Sequence, residues 1–187
     1  MQGRELLIGV TGGIAAYKTA ALVSQLVQAG AAVTVVMTHA AQQFVGRATF
    51  EALTGRPVCR DLFEGESFPL GPHIELAQRA ELLCVAPATA NFMAKAANGL
   101  ADDLLSTLYL SHTGAVLLAP AMNTEMWSKP AVQRNVAQLV EDGVEIVPPE
   151  AGWLSCRQVG AGRMAAPETI FEAIRKRLAA TNTSPKR

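Results

Sequence analysis

Short, uninterrupted apolar runs alternate along this chain with longer stretches in which apolar residues recur every three or four positions. Leu6-Leu7-Ile8-Gly9-Val10, Val33-Thr34-Val35-Val36-Met37, Leu82-Leu83-Cys84-Val85-Ala86 and Ala115-Val116-Leu117-Leu118-Ala119 are the runs, and Val144-Glu145-Ile146-Val147 is a weaker fifth. Continuous hydrophobicity is what a strand buried on both faces requires; a half-exposed strand would alternate. Between the runs, Ala15, Leu22, Leu26 and Ala29 form one helical stripe, with Val23 and Val27 beside it. Val132, Val136, Leu139 and Val140 form a second stripe, and Ile170, Phe171, Ile174 and Leu178 a third. Gly30 and Gly143 stand where the first two of these helices should end, the usual place of a C-cap glycine. This alternation predicts an α/β fold, a parallel sheet covered by helices on both faces.

Two stretches break the pattern. Residues 55–72 hold Pro, Gly and aromatics that read as exposed, and residues 148–167 hold Pro, Gly and Trp153. Loops of such length inside a compact domain are commonly functional. Ligands of open α/β sheets bind beyond the carboxyl ends of the strands, so the residues just after each run become the candidates for chemistry.

Thr11-Gly12-Gly13-Ile14-Ala15-Ala16 follows the first run and opens a helix. Two glycines let a ligand approach the backbone, and the helix start offers unpaired N–H groups to an anion. The spacing is not that of the dinucleotide fingerprint, so a single phosphate fits better; a plain strand-to-helix turn is the competing reading. Thr38, Thr89 and Asn91 put hydroxyls and an amide at the same sheet edge, each also readable as a helix cap. Asp102-Asp103 reads as a cap before Leu104-Leu105. His73 closes the first irregular stretch and opens a helix, a place where proton transfer is possible. Pro120-Ala121-Met122-Asn123-Thr124-Glu125-Met126-Trp127 is the most distinctive segment, because a generic turn needs neither two Met nor a Trp. Cys156 lies in the second irregular stretch, ahead of Gly160-Ala161-Gly162-Arg163-Met164. Closely spaced glycines beside an Arg predict a flexible flap over an anionic substrate, with a reactive thiol on it.

Composition narrows the field. The 187 residues are 50% apolar and 17% charged, and 16 Lys+Arg balance 16 Asp+Glu. Zero net charge argues against a nucleic-acid partner. The apolar fraction excludes disorder and fits one domain over residues 1–180 with a disordered tail at 181–187. So little charge also hints that a second subunit covers some apolar surface. No apolar run reaches the ~20 residues of a membrane span, and the N-terminus lacks signal-peptide features, so the expected location is the cytoplasm. Cys59, Cys84 and Cys156 are far apart and lack CxxC spacing, which points to neither a disulfide framework nor a metal site.

Taken together, Gly12-Gly13-Ile14-Ala15-Ala16-Tyr17-Lys18, His73, Pro87-Ala88-Thr89-Ala90-Asn91, Pro120 to Trp127, and Gly160 to Met164 with Cys156 resemble the flavin-containing cysteine decarboxylase superfamily. Within it they are most similar to phosphopantothenoylcysteine decarboxylases, whose Pro-x-Met-Asn-x-x-Met-Trp pattern is highly specific. The resemblance covers the chain from residue 4 to about residue 180. It departs at the flap, where the family commonly has Cys-Gly-acidic and this chain has Cys156-Arg157-Gln158.

The resemblance implies a single-domain Rossmann-like (flavodoxin-like) three-layer fold that binds FMN and converts 4′-phosphopantothenoylcysteine to 4′-phosphopantetheine for coenzyme A biosynthesis. Oxidation of the substrate's CH₂–S⁻ to a thioaldehyde creates an electron sink for CO₂ loss, and the resulting enethiolate is then reduced, with the hydride carried by the cofactor. Matching positions assign His73 as base, Asn123 to the substrate carboxylate and Cys156 as the proton donor. They assign Gly12, Gly13, Ile14, Ala15, Thr38, Thr89, Asn91, Asp102, Ala119, Pro120 and Met122 to the cofactor. Asn123, Met126, Arg163 and Met164 fall to the substrate. A homotrimer or a multiple of trimers is implied, with flavin between subunits, and with the chain ending at Arg187 the partner ligase activity is expected on a separate protein. Three other readings compete: an oxidative decarboxylase of a peptide's C-terminal cysteine, which needs no reducing step and is therefore disfavoured by the presence of Cys156; a non-catalytic flavin-binding regulatory subunit; and a flavodoxin-like electron carrier.

Overall fold

The computed structural model describes residues 1–63 and 68–181. The apolar runs become strands β1 (Glu5–Val10), β2 (Ala32–Met37), β3 (Leu82–Ala88), β4 (Ala115–Pro120) and β5 (Glu145–Ile146). All pair in parallel, in the order β2-β1-β3-β4-β5. The intervening helices are α1 (Ala16–Gln28), α2 (Arg47–Thr54), α3 (Pro72–Arg79), α4 (Ala90–Ala97), α5 (Leu104–Ser111), α6 (Thr124–Ser128), α7 (Pro130–Glu141) and α8 (Pro167–Thr181). Gly30 and Gly143 follow α1 and α7 with φ of 84° and 87°, as the C-cap reading requires.

Alternate strand residues feed two separate cores. Leu6, Ile8 and Val10 face Leu22 and Leu26 of α1, Phe50 of α2 and Ile170 and Ile174 of α8. Leu7, Leu83 and Val85 face Leu76, Met93, Leu105 and Leu139 on α3, α4, α5 and α7. Both faces of the sheet are therefore dry, which is why its strands read as unbroken apolar runs. Gly9 serves this second core by absence: a Cβ there would stand 2.6 Å from Leu105 Cδ1, so α5 lies directly on β1.

Two expectations change. Val140 is 55% exposed rather than part of the α7 stripe, of which Leu139 is the buried member. The helix lies at the sheet's edge over the two-residue β5, which offers it little surface to cover. Residues 148–167 are not a structureless loop but an antiparallel hairpin, β6 (Glu150–Trp153) with β7 (Val159–Arg163). Its Gly-rich strands carry almost no β-propensity signal. In the first irregular stretch, Cys59 makes an isolated parallel bridge to Val36. Of the expected tail, Thr181 ends α8 and 182–187 lie outside the described residues. No helix among the described residues is long and apolar enough to cross a membrane.

Candidate functional site

β1 and β3 are neighbours in the sheet, but the chain leaves β1 toward β2 and β3 toward β4, on opposite sides. Such a reversal opens a crevice beyond the strand ends, and in sheets of this order it is the ligand site. Buried threonines hold its two rims together. Thr11 Oγ1 donates to the Pro87 carbonyl at 2.6 Å and accepts from the Thr89 amide at 3.1 Å. Thr19 Oγ1 donates to the Ala86 carbonyl at 2.6 Å. A cavity of about 590 Å³ occupies this crevice, within the ~300–1,000 Å³ of small-molecule sites.

The β1–α1 turn forms one wall. Gly12 has no side chain because Ala40, on the turn after β2, fills the place of its Cβ. Gly13 differs: a Cβ there would meet only ordinary contacts, 3.7 Å to Thr89 and 3.8 Å to Pro87. Its bareness therefore serves the cavity rather than the packing. The Ile14 and Ala15 amides have no acceptor among the described residues and stand at the positive end of the 13-residue α1. An anion is the natural partner of that arrangement.

The opposite wall is the Pro120–Trp127 segment with the hairpin docked on it. Asn123 caps α6, its Oδ1 accepting from the Met126 amide at 2.8 Å, which leaves the Nδ2 donor for another partner on the cavity wall. The Met122 amide donates to the Gly162 carbonyl at 3.0 Å, and Thr124 Oγ1 to the Ala161 carbonyl at 2.8 Å. The closely spaced glycines, expected to make the flap flexible, are instead sites of close approach. A Cβ on Gly160 would strike Thr124 Oγ1, and one on Gly162 (φ 128°) would strike the Met122 carbonyl oxygen. Gly162→Ala should thus cost about 1–3 kcal/mol in backbone strain alone, beyond the collision. Gly46→Ala, with nothing within 4 Å, should stay within about 1 kcal/mol of the parent. Urea unfolding of the two variants measures the difference.

The hairpin tip is a three-residue loop. Leu154 donates to the Gln158 carbonyl at 2.8 Å and Arg157 to the Leu154 carbonyl at 2.9 Å. This pattern wants its last loop residue left-handed, normally a glycine. Here that residue is Arg157, with φ 64°, a non-glycine residue held in the left-handed region. Arg157→Gly should relieve about 1 kcal/mol of local strain, read as slower hydrogen exchange at the Leu154 and Arg157 amides. Cys156 is exposed beside it and lines the cavity. At the hairpin base Arg163 pairs with Glu150 at 2.9 Å, its guanidinium lying where a Gly152 side chain would be. The Ala166 amide, donating at 3.1 Å, and Arg163 together hold the Glu150 carboxyl below its ordinary range.

Gly12, Gly13, Ile14, Ala15, Thr89, Met122, Asn123, Met126, Cys156, Arg163 and Met164 thus share one cavity. The remaining candidates lie outside its wall. Thr38 caps the short 3-10 turn at 39–43, accepting from the Ala41 amide at 3.3 Å. Asn91 is an exposed residue of α4. Asp102 pairs with Lys95 at 2.6 Å while Asp103 caps α5. Ala119 and Pro120 are buried in the end of β4, supporting the wall from behind. His73 is the second residue of α3, apart from the cavity, and its buried Nδ1 has no hydrogen-bond partner among the described residues. Sequence reasoning gave no role to Lys18, Tyr17 or Trp153, which also line the cavity. Ile14, Tyr17 and Trp153 are 55%, 60% and 64% exposed around it, a large apolar rim for a free surface.

Among the described residues no cluster of three or more His, Cys, Asp or Glu could hold a metal ion. Comparison with known proteins supplies the relatives. The chain is 45% identical over 185 residues to the coenzyme A biosynthesis bifunctional protein CoaBC of Bacillus subtilis (strain 168), an alignment covering 99% of this chain and 46% of that protein. The chain thus spans about half the length of the curated relatives it matches. Among solved structures, the FMN-dependent cysteine decarboxylase SpaF superposes with a TM-score of 0.83 at 36% identity, covering 97% of this chain and 98% of that one. A cysteine-to-serine mutant of PPC decarboxylase complexed with pantothenoylaminoethenethiol superposes with a TM-score of 0.83 at 29% identity, covering 94% and 98%. The sequence model of the flavoprotein family matches residues 1–179, nearly the whole of the fold and every wall of the cavity, and the chain belongs to that family.

Proposed function

We propose that this chain is an FMN-dependent decarboxylase that converts 4′-phosphopantothenoylcysteine to 4′-phosphopantetheine in coenzyme A biosynthesis, acting as a homo-oligomer in the cytoplasm. The observation that carries the reading is the convergence of Asn123, Cys156 and the free Ile14 and Ala15 amides on one cavity at the β1/β3 switch point. Those amides would hold the FMN phosphate, and Gly13, Ala121 and Met122 would flank the ring system. When bound, FMN supplies the hydride acceptor and donor that a cysteine-type carboxylate lacks.

The chain's own groups do the rest. Asn123 Nδ2 donates to the substrate carboxylate, its other end being fixed by the Met126 amide. The hairpin closes one side of the cavity and excludes water, with Arg163 held in place by Glu150. The Cys156 thiol gives its proton to carbon as the enethiolate is reduced, and solvent restores it at the exposed tip. His73 acts as base from a second copy of the chain, which accounts for its absence from the cavity wall and for an Nδ1 without a partner among the described residues. The same second copy would cover Ile14 and Tyr17. The trimer, or multiple of trimers, belongs to this proposal.

A second reading is oxidative decarboxylation of a peptide's C-terminal cysteine; the 36% identity to the FMN-dependent cysteine decarboxylase SpaF supports the cysteine-decarboxylase chemistry that both readings share. One experiment separates the two. Purified protein should be yellow and release FMN on denaturation. Given 4′-phosphopantothenoylcysteine it should yield CO₂ and a product two hydrogens heavier than the enethiol by mass spectrometry. A colourless protein that cannot be reconstituted with FMN, or turnover of the peptide alone, overturns the proposal.

A further inference from the structure

Lys18 stands in the first turn of α1, where the unpaired amides make the helix positive and a cation is disfavoured. No acidic residue in that turn compensates it. Its side chain is half-buried on the cavity wall, and its ammonium has no hydrogen-bond or ion-pair partner among the described residues. Arg163, which lines the same cavity, and Glu150 beside it are the charges that act on it, both at the base of the hairpin. Glu150 is already engaged by Arg163 and by the Ala166 amide. Two cations therefore confront one committed carboxylate, and among the described residues no Asp or Glu lines the cavity itself. Burial and the like charge of Arg163 lower the Lys18 pKa against the opposing pull of Glu150.

We infer that Lys18 recognises the phosphate of the substrate and so sets the chain's preference for a phosphorylated small thiol over an unphosphorylated one or a peptide ending in cysteine. The inference rests on the function proposed above, in which the Ile14 and Ala15 amides serve the cofactor and Asn123 serves the carboxylate. Lys18 is then the cavity cation left for a third anionic group.

The test compares the parent chain, Lys18→Gln and Lys18→Arg on 4′-phosphopantothenoylcysteine and on pantothenoylcysteine. Calorimetric binding of 4′-phosphopantetheine and pantetheine runs alongside. The preference for the phosphorylated substrate should fall about 10–100-fold in Lys18→Gln, the worth of a charge-assisted hydrogen bond. The loss should lie in KM rather than kcat, flavin content should not change, and Lys18→Arg should recover part of the preference. Equal losses on both substrates, or a variant that sheds flavin, would overturn the inference, the second by assigning Lys18 to the cofactor. If the parent binds the phosphorylated ligand selectively, Lys18→Gln erases that selectivity and neither releases CO₂, the phosphate contact stands and the decarboxylase reading fails.

Discussion

Asn123→Asp is expected to fold as well as the parent and to lose about 10²–10³-fold in kcat/KM, the usual cost of removing one well-placed donor. The substitution separates two jobs that one side chain performs. Oδ1 caps α6 through the Met126 amide, and a carboxylate caps at least as well while favouring the helix dipole. Thermal unfolding should therefore hold steady or improve. The cavity side changes in both sign and kind. The Nδ2 donor disappears, and a negative charge takes its place where the substrate carboxylate is proposed to sit. Like charges in a site shielded from water disfavour binding of the anionic substrate. Stopped-flow bleaching of bound flavin by 4′-phosphopantothenoylcysteine measures the step directly. An Asp variant that bleaches at the parent rate would move the carboxylate elsewhere in the cavity.

Cys156→Ser should divide the reaction in two. Oxidation and CO₂ loss require no proton from the hairpin tip, so CO₂ release in the first turnover should persist. Reduction of the enethiolate requires an acid, and a serine hydroxyl is far weaker than a thiol, whose proton lies within reach of biochemical pH. The variant should accumulate the enethiol and form 4′-phosphopantetheine at least about 100-fold more slowly, consistent with the 10²–10⁴-fold range of general acid catalysis. Mass spectrometry reads the two-hydrogen difference. The tip geometry should survive, since the loop is closed by Leu154, Arg157 and Gln158 main chain rather than by the thiol. Parent-rate formation of 4′-phosphopantetheine by Cys156→Ser would remove the thiol from the mechanism.

The five parallel strands were legible because burial on both faces leaves an unbroken apolar signature, as in Leu82–Ala86. Strands β6 and β7 were not, because Glu-Ala-Gly-Trp and Val-Gly-Ala-Gly-Arg carry neither alternation nor β-branched runs. Glycine was the most misleading residue. Sequence reveals that a side chain is absent but not what occupies its space. Gly160 and Gly162 thus read as flexibility when Thr124 and Met122 stand against them. Likewise Thr38 and Thr89 have identical credentials in sequence, and both prove to be caps, yet only Thr89 reaches the cavity. Lys18 was visible inside a recognised motif but meant nothing until its helix position, burial and neighbours were known together. The choice in each case is made by tertiary neighbours distant in sequence.

The hairpin grips the Asn123 segment through carbonyls, amides and bare glycines, while Trp153, Arg157, Gln158 and Val159 take no side-chain part in that grip and are exposed. Mount and tip are therefore separable parts. Residues at the tip can be exchanged without disturbing how the hairpin is seated, whereas almost any change at Gly160 or Gly162 alters the seating before it alters the chemistry. A lineage or a protein engineer seeking a new substrate would find its freedom at Trp153 and Arg157 to Val159. Random libraries confined to those positions should retain far more folded, flavin-loaded members than libraries of equal size placed on 160–162.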